Sequence, residues 1–360
     1  MRLFLKSLLL GTYGLLVALF LAAYLARYLH PRYLWWIQLI AVFLPYLSGL
    51  VVLTGIPLLI RRQWGLMSLT AILCVLIAIR FVPEGNGADG GEGGVGERLS
   101  LMTLNSPSWY PYDGDRARDL LRLMNRYRPD IVAIPEGWVN YNADGSVRSH
   151  RKDLRVLTDS ASYVTRGPRG TRDTVSHTPL YSLFPFEQVS FFELPYDPTR
   201  QYSAKVSRAS VTWRQRPIVV YGVHMQSFGS EKPWREDNSS AFNPRVWLRY
   251  VRQYRQAIHR RAAQAEQLAR MIREETDPVI VMGDLNSTSN NWDLNWIKGD
   301  LTDAYRVAGE GWGATYHARR PFARIDFILV SEEFRVVSAE VPAIGISDHR
   351  PVFAVVEWRK

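Results

Sequence analysis

The chain carries a single cysteine, Cys74, among its 360 residues. An intrachain disulfide is therefore excluded, as are zinc sites built on cysteine. One cysteine is compatible with either side of a membrane and decides nothing about compartment. No internal repeat is evident. Charge is scarce in the first eighty or so residues, which are almost continuously apolar, whereas the remainder reads as a soluble globular domain. The net charge of +10 and the pI near 9.7 imply attraction to something anionic: nucleic acid, acidic lipid head groups or a phosphorylated small molecule. A basic balance also serves membrane topology, so it carries modest weight.

Three apolar runs open the chain, Leu3–Leu25, Tyr33–Ile60 and Trp64–Phe81. Each approaches or exceeds the ~20 residues that a helix needs to cross hydrocarbon. Trp35, Trp36 and Trp64 lie near run ends, where amphipathic rings favour the interface. Pro45, Gly55 and Pro57 would break a soluble helix but are tolerated in lipid. A signal peptide over the first run would leave two further apolar runs, so three transmembrane helices are expected. Arg2 and Lys6 share a side with Arg61 and Arg62, opposite Arg27 and Arg32. That excess puts the N-terminus in the cytoplasm, in a multi-pass inner-membrane protein whose following domain is extracytoplasmic. Pro83–Glu97, PEGNGADGGEGGVGE, lacks apolar surface and reads as a flexible tether. The expected organisation is thus a membrane region 1–82, a linker 83–97 and a catalytic domain 98–360.

Beyond Leu99 strand-like and helix-like patterns alternate. Ser100–Leu104, Ile131–Ile134, Ser207–Trp213, Ile218–Tyr221, Val279–Met282, Ile325–Val330 and Val352–Val356 read as strands. Asp115–Tyr127 and Arg245–Glu275 read as helices, and Asp153–Leu157 as part of another. Mixed α/β patterning of this kind suggests two packed sheets flanked by helices.

Six short motifs follow apolar runs. They are Met102-Thr103-Leu104-Asn105, the segment Asp130–Glu136, Gly222-Val223-His224, Gly283-Asp284-Leu285-Asn286, Arg324-Ile325-Asp326 and Ser347-Asp348-His349. Phosphate-ester hydrolysis needs a hard cation, a base for water and donors for the phosphoryl oxygens. Glu136, Asp284, Asp326 and Asp348 offer oxygen ligands at strand ends, which can converge on one sheet edge. Asn105 and Asn286 add neutral carboxamides, and His224 and His349 can move protons or donate to phosphate.

In order and spacing these motifs resemble the endonuclease/exonuclease/phosphatase superfamily across Leu99–Trp358. The most specific pieces are GDLN at Gly283–Asn286, RIDFIL at Arg324–Leu329 and SDH at Ser347–His349. The resemblance implies a four-layer α/β sandwich, two central mixed sheets flanked by helices, here preceded by three transmembrane helices. It implies a Mg²⁺ site, with Mn²⁺ as a substitute, at Asn105 and Glu136 with Asp348 beside them. Asp284 resembles the aspartate that aligns or deprotonates the attacking water, and Asn286 its phosphate-binding neighbour. His349 resembles the histidine on the scissile phosphate, and Asp326 the carboxylate that orients it. His224, in His224-Met225-Gln226-Ser227, falls where many members have Thr-His-Leu, as in the phosphatase, deoxyribonuclease and sphingomyelinase branches. One departure is Pro135, which precedes Glu136 where the family usually has glutamine.

The expected function is a membrane-anchored, metal-dependent phosphodiesterase acting on nucleic acid or a phospholipid head group, with no obligate protein partner. A phosphomonoesterase and an inactive membrane-bound binding module are the alternatives. Taken singly, each motif is more often a turn or a helix cap than a ligand. His150, His177, His259 and His317 have no motif support and read as surface or loop residues. Tyr202 and Arg208 could touch substrate, though Arg208 reads equally as a solvated strand residue. Asp173 and Ser182 are left outside the site. The arginines of Arg245–Arg273 read as a solvated face before they read as a surface for anionic lipid or nucleic acid.

Overall fold

The computed structural model describes residues 2–60, 64–81, 98–111, 114–170, 172–195, 205–228 and 243–359. The Gly-rich segment, Arg61, Arg62 and Tyr202 lie outside them. Two compact units result: residues 1–84 with 288–295, and residues 85–287 with 296–360.

The first unit holds helices α1 (Arg2–Leu25), α2 (Pro31–Ala41), α3 (Leu44–Ile60) and α4 (Trp64–Phe81). Among the described residues two spans, Ser7–Tyr28 and Trp64–Phe81, are long and apolar enough to cross a membrane. The middle run differs from the single helix expected of it. It is α2 and α3 with a bend of 64°, so it counts as a third span only as a broken one. Pro45 supplies the reason. It has no N–H to donate, and its ring collides with the carbonyl four residues back, at Ala41, where α2 stops. Tyr13, Phe20, Leu44, Val51 and Leu73 form the core of this unit. Polar groups buried here find partners: Tyr13 Oη lies 2.7 Å from Thr70 Oγ1. Gln38 Nε2 donates to the Ala26 carbonyl at 2.9 Å, and Gln38 Oε1 accepts from Trp292 N at 3.1 Å. Through such bonds residues 288–295 belong with these helices.

Among the described residues the second unit has fourteen strands. In chain order they begin with β1 (Arg98–Thr103), β2 (Ile131–Ala133), β3 (Val139–Tyr141), β4 (Val147–His150), β5 (Thr174–Ser176), β6 (Leu180–Ser182) and β7 (Phe186–Glu193). They continue with β8 (Lys205–Trp213), β9 (Arg216–His224), β10 (Val279–Asp284), β11 (Thr302–Asp303), β12 (Asp326–Val330), β13 (Phe334–Glu340) and β14 (Val352–Trp358). One sheet runs β13-β14-β1-β2-β6 and another β11-β12-β10-β9-β8-β7. A third, β4-β3-β5, is not anticipated by the sequence; two of its strands have only three residues, too few for a pattern to register. Helix α5 (Arg116–Tyr127), capped by Asp115 Oδ1 on Arg118 N at 3.1 Å, links β1 to β2. Helix α7 (Pro244–Arg273), which follows the short α6 (Arg155–Asp159), links β9 to β10. Both linked pairs are parallel, whereas their neighbours are antiparallel.

Alternation along the strands decides what faces what. Leu99 and Leu101 of β1, with Ile131 and Ala133 of β2, enter one core together with Val220, Ile280 and Ile328 of the other sheet. Met102, Leu104, Val132 and Ile134 point the other way, against Leu120, Leu123 and Met124 of α5. Two mixed sheets packed on each other with helices outside is the architecture expected from the sequence.

The structure gives several marginal residues definite surroundings. His177 is buried, with its ring 3.8 Å from that of Trp138. Arg208 is half-buried on its strand and forks onto Glu275 at 2.6 and 2.7 Å. Ser182 is buried in β6, its Oγ accepting from Phe184 N at 2.9 Å, and Asp173 pairs with Arg148 at the surface. Of the α7 arginines, Arg245, Arg249, Arg252 and Arg255 are exposed, but Arg261 is only 1% exposed.

Gly283 is a point of very close approach between two strands. Its φ is +149°, and a Cβ there would stand 1.9 Å from the Val223 carbonyl oxygen on the neighbouring strand. Gly283→Ala should therefore force β9 and β10 apart and cost on the order of 2–4 kcal/mol. A chemical-denaturation midpoint equal to that of the wild type would refute this.

Candidate active site

The two parallel pairs set the site. Parallel strands present their carboxyl ends on the same side, so the residues after β1 and β2, Asn105 and Glu136, emerge together. In the β9/β10 pair the register places Asp284 opposite His224. The antiparallel β10/β12 register places Asp284 opposite Asp326. Strand β14 runs antiparallel to β1 with Val352 opposite Thr103, which brings the preceding Ser347–His349 to the same edge.

Side chains close the arrangement. Asn105 Nδ2 donates to Asp284 Oδ2 at 2.8 Å and to Glu136 Oε1 at 3.4 Å. Carboxylates only accept, so this fixes the amide orientation and leaves Asn105 Oδ1 buried without a hydrogen-bond partner. Asn286, with φ +48°, turns back on Asp284. Its N–H donates to Oδ1 at 2.8 Å, and its Nδ2 donates to Oδ2 at 3.2 Å and to the Met225 carbonyl at 3.0 Å. His224 Nε2 lies 3.7 Å from Asp284 Oδ2 and 3.9 Å from Glu136 Oε1. His349 Nδ1 pairs with Asp326 Oδ2 at 2.8 Å, and its Nε2 lies 4.0 Å from Asp284 Oδ2. Ser347 Oγ donates to the Asn105 carbonyl at 2.6 Å and also lies 3.2 Å from Asp348 Oδ1. Thus Asp348 joins Asn105 through Ser347 rather than by direct contact, while the other seven expected residues meet side chain to side chain.

Electrostatics differentiate the acids. Burial pushes Asp284 up to about 6, with the Asp326 charge adding to the effect and His349 and His224 opposing it. Burial also disfavours a charged His349, but the Asp326 carboxylate and then Asp284 outweigh it and raise the imidazole to about 10. His349 is therefore a cationic donor at neutral pH, and Asp284 is the group poised to accept a proton. Asp284, Asp326 and His349 offer ligand atoms within 4.8 Å of one another, a candidate metal cluster. Its imidazole Nδ1 is committed to Asp326, which makes it less fit for a hard cation than the oxygen set of Asn105 and Glu136.

Pro135, the one departure in the motifs, ends β2's path without harm: its carbonyl accepts from Ser106 N at 3.0 Å. Glu136 then adopts φ +60°, a conformation that costs free energy in a non-glycine residue. Arg151 holds the turn, donating to the carbonyls of Glu136 (3.1 Å) and Ser106 and pairing with Asp153. Tyr316 packs its ring 4.9 Å from that of His349. Neither Arg151 nor Tyr316 carries a motif that marks it in the sequence.

A profile described as the Endonuclease/Exonuclease/phosphatase family matches residues 93–349. Among solved structures, the chain is similar to a humanized D. rerio TDP2 carrying 14 mutations, at 18% identity and TM-score 0.50, covering 72% of this chain and 99% of that one. It is also similar to family proteins from Bacteroides thetaiotaomicron (16%, TM-score 0.52, 73% and 98% covered) and Leptotrichia buccalis C-1013-b (15%, 0.51, 72% and 100%). At such identities the likeness is one of fold. No curated protein sequence matches the chain.

Asp326→Asn should lower activity strongly and move its alkaline limb to lower pH. Losing the carboxylate lowers the His349 pKa, so the cationic donor disappears at a lower pH. Adding His349→Ala should cost far less than the two single losses combined. Additivity in that cycle, or an alkaline limb that stays put, would show that the pair does not act as a unit.

Proposed function

Because the chain belongs to the endonuclease/exonuclease/phosphatase family, whose members are generally phosphoester hydrolases, we propose that it is a divalent-metal-dependent phosphodiesterase anchored in a membrane. The observation that carries this reading is the Asn105 side chain, whose Nδ2 reaches the Glu136 carboxylate at 3.4 Å while its Oδ1 is buried without a hydrogen-bond partner. A hard cation suits oxygen ligands of this kind, and Asn105, Glu136 and Asp348 are the residues that would hold it. Held there, Mg²⁺ or Mn²⁺ supplies charge neutralisation at the phosphoryl oxygens.

The chain's own groups do the rest. Asp284, ionised above about pH 6, aligns water and takes its proton as the oxygen attacks phosphorus in line with the departing ester oxygen. Asn286 holds Asp284 by two hydrogen bonds and keeps its carboxylate from turning. His349, kept cationic by Asp326, and His224 donate to the phosphoryl oxygens as charge develops.

The surface beside His349 favours nucleic acid over a small phosphomonoester. Tyr316, next to His349, packs on Phe322 at 5.7 Å, and His317 lies 6.1 Å from Tyr110, itself 6.5 Å from Trp109. Trp109 and Phe322 are exposed, as are Arg319 and Arg320. Exposed rings interleaved with arginines suit unstacked bases and their phosphates. A phospholipid head group is the rival substrate, and the apolar helices of the first unit are what favour it.

Purified protein should hydrolyse bis(p-nitrophenyl) phosphate with Mg²⁺ or Mn²⁺ and stop in excess EDTA. Glu136→Gln should cut turnover by at least ~100-fold. Wild-type rates in EDTA would sink the metal reading. A panel of single- and double-stranded DNA, RNA, sphingomyelin and phosphatidylinositol phosphates then separates the substrates.

The charge bias of the N-terminal loops supports an extracytoplasmic catalytic domain. A reporter active only outside the cytoplasm should work when fused after Lys360. Signal from a cytoplasm-only reporter at that position would put the domain inside.

A further inference from the structure

Helix α7 carries two polar side chains that the hydrolytic scheme does not use, and both are buried. Arg261 is 1% exposed and Gln264 is fully buried. They lie one turn apart, so they share a helix face. Burying a guanidinium costs stability unless its donors are used well. Here Arg261 Nη1 donates to the carbonyl of Asn286, and its guanidinium carbon sits 4.2 Å from the centroid of the Phe228 ring. Phe228 in turn stacks on Tyr254 of the same helix, centroid to centroid 4.2 Å. Gln264 Oε1 accepts from Gln226 N at 2.9 Å, and its Nε2 donates to the Pro195 carbonyl at 2.6 Å.

The two residues thus grip different loops. Arg261 holds the turn after β10, and Gln264 holds the chain after β9. Those loops already meet through Asn286 Nδ2 and the Met225 carbonyl. Asn286 is held at φ +48°, a backbone conformation that needs support, and both its N–H and its Nδ2 donate to Asp284.

We infer that Arg261 is a positioning residue for the hydrolytic site, fixing the Asn286 turn from behind and through it the direction of the Asp284 carboxylate, with Gln264 steadying the adjoining loop. The inference rests on the reading of Asp284 as the water-orienting group. Methionine of similar length would fill the space of Arg261 without donating. Lysine would keep the charge and a donor but lose the planar stack on Phe228.

The test uses the full-length chain in detergent, with bis(p-nitrophenyl) phosphate and Mn²⁺ as the kinetic probe. Arg261→Met should lower kcat by about 10-fold to 100-fold while KM stays within about twofold, since a small misplacement of a catalytic group costs that much. Arg261→Lys should recover part of the loss. Hydrogen exchange gives an arm that does not depend on turnover. In Arg261→Met the Asn286 amide should exchange about tenfold faster or more, while the amides of Ile280–Met282 keep their protection. Wild-type kcat and exchange in folded Arg261→Met would overturn the inference. So would exchange accelerated equally through β10, which marks a merely structural residue. If Arg261→Met does not fold, Arg261→Lys is measured in its place: slower turnover with faster Asn286 exchange supports the inference, and wild-type values of both overturn it. If the wild type fails to turn over the probe, it is the phosphodiesterase reading that falls on this probe, and exchange at Asn286 still decides the brace.

Discussion

The hydrogen bond from Asn105 Nδ2 to Asp284 Oδ2 joins the edge of one parallel strand pair to that of the other, and so joins the two sheets. It is worth most because Asp284 is buried, where an unaccompanied carboxylate would be costly. One amide satisfies two acids, Asp284 and Glu136, while its own oxygen is buried without a hydrogen-bond partner. Remove the amide and the Asp284 and Glu136 carboxylates lose their common partner. Everything else in the site is arranged around that bond: Asn286 on one flank of Asp284, the His349–Asp326 pair on another, and Ser347 tying the final loop to the Asn105 carbonyl.

Charge is balanced by pairing rather than by exposure. Asp326 is fully buried and spends one oxygen on His349, while Asp284 stands between two imidazoles. Two acids facing each other across adjacent strands would repel if both were ionised without those histidines. The cost falls on Asp284, whose carboxyl holds its proton up to about pH 6, and the benefit on His349, which stays charged well beyond neutrality. A shared register therefore separates the acid–base roles of residues that, along the chain, are only carboxylates and imidazoles.

Much of this is readable in the chain because strand ends announce themselves: an apolar run stops and a polar residue follows. That pattern locates β1, β2, β9 and β10 and the groups at their ends, whereas Asp326 opens β12 and is marked by its motif, and the family resemblance supplies the layers. The bend between α2 and α3 is less legible, since apolar content says nothing of direction and only the position of Pro45 does. Strands β3 and β5 are too short to carry alternation. Arg151 and Arg261 are invisible for another reason. Among 44 lysines and arginines, nothing local distinguishes those that turn inward onto loop carbonyls from those left in solvent. His177 and Arg208 mislead likewise, because the partners that settle them, Trp138 and Glu275, are distant in sequence.

The position of β14 next to β1 has a consequence for the order of folding. Strand β1 is the first strand of the second unit and β14, its antiparallel partner, lies roughly 250 residues later, so their pairing is among the most non-local in the fold. Until Val352–Trp358 has docked, His349 and Ser347 are not held beside Asn105, and β1 has an unpaired edge. Before that pairing the groups of the site stand apart, so the site is completed only late in folding. A chain lacking β14 would leave β1 as an exposed sheet edge, open to pairing with another chain.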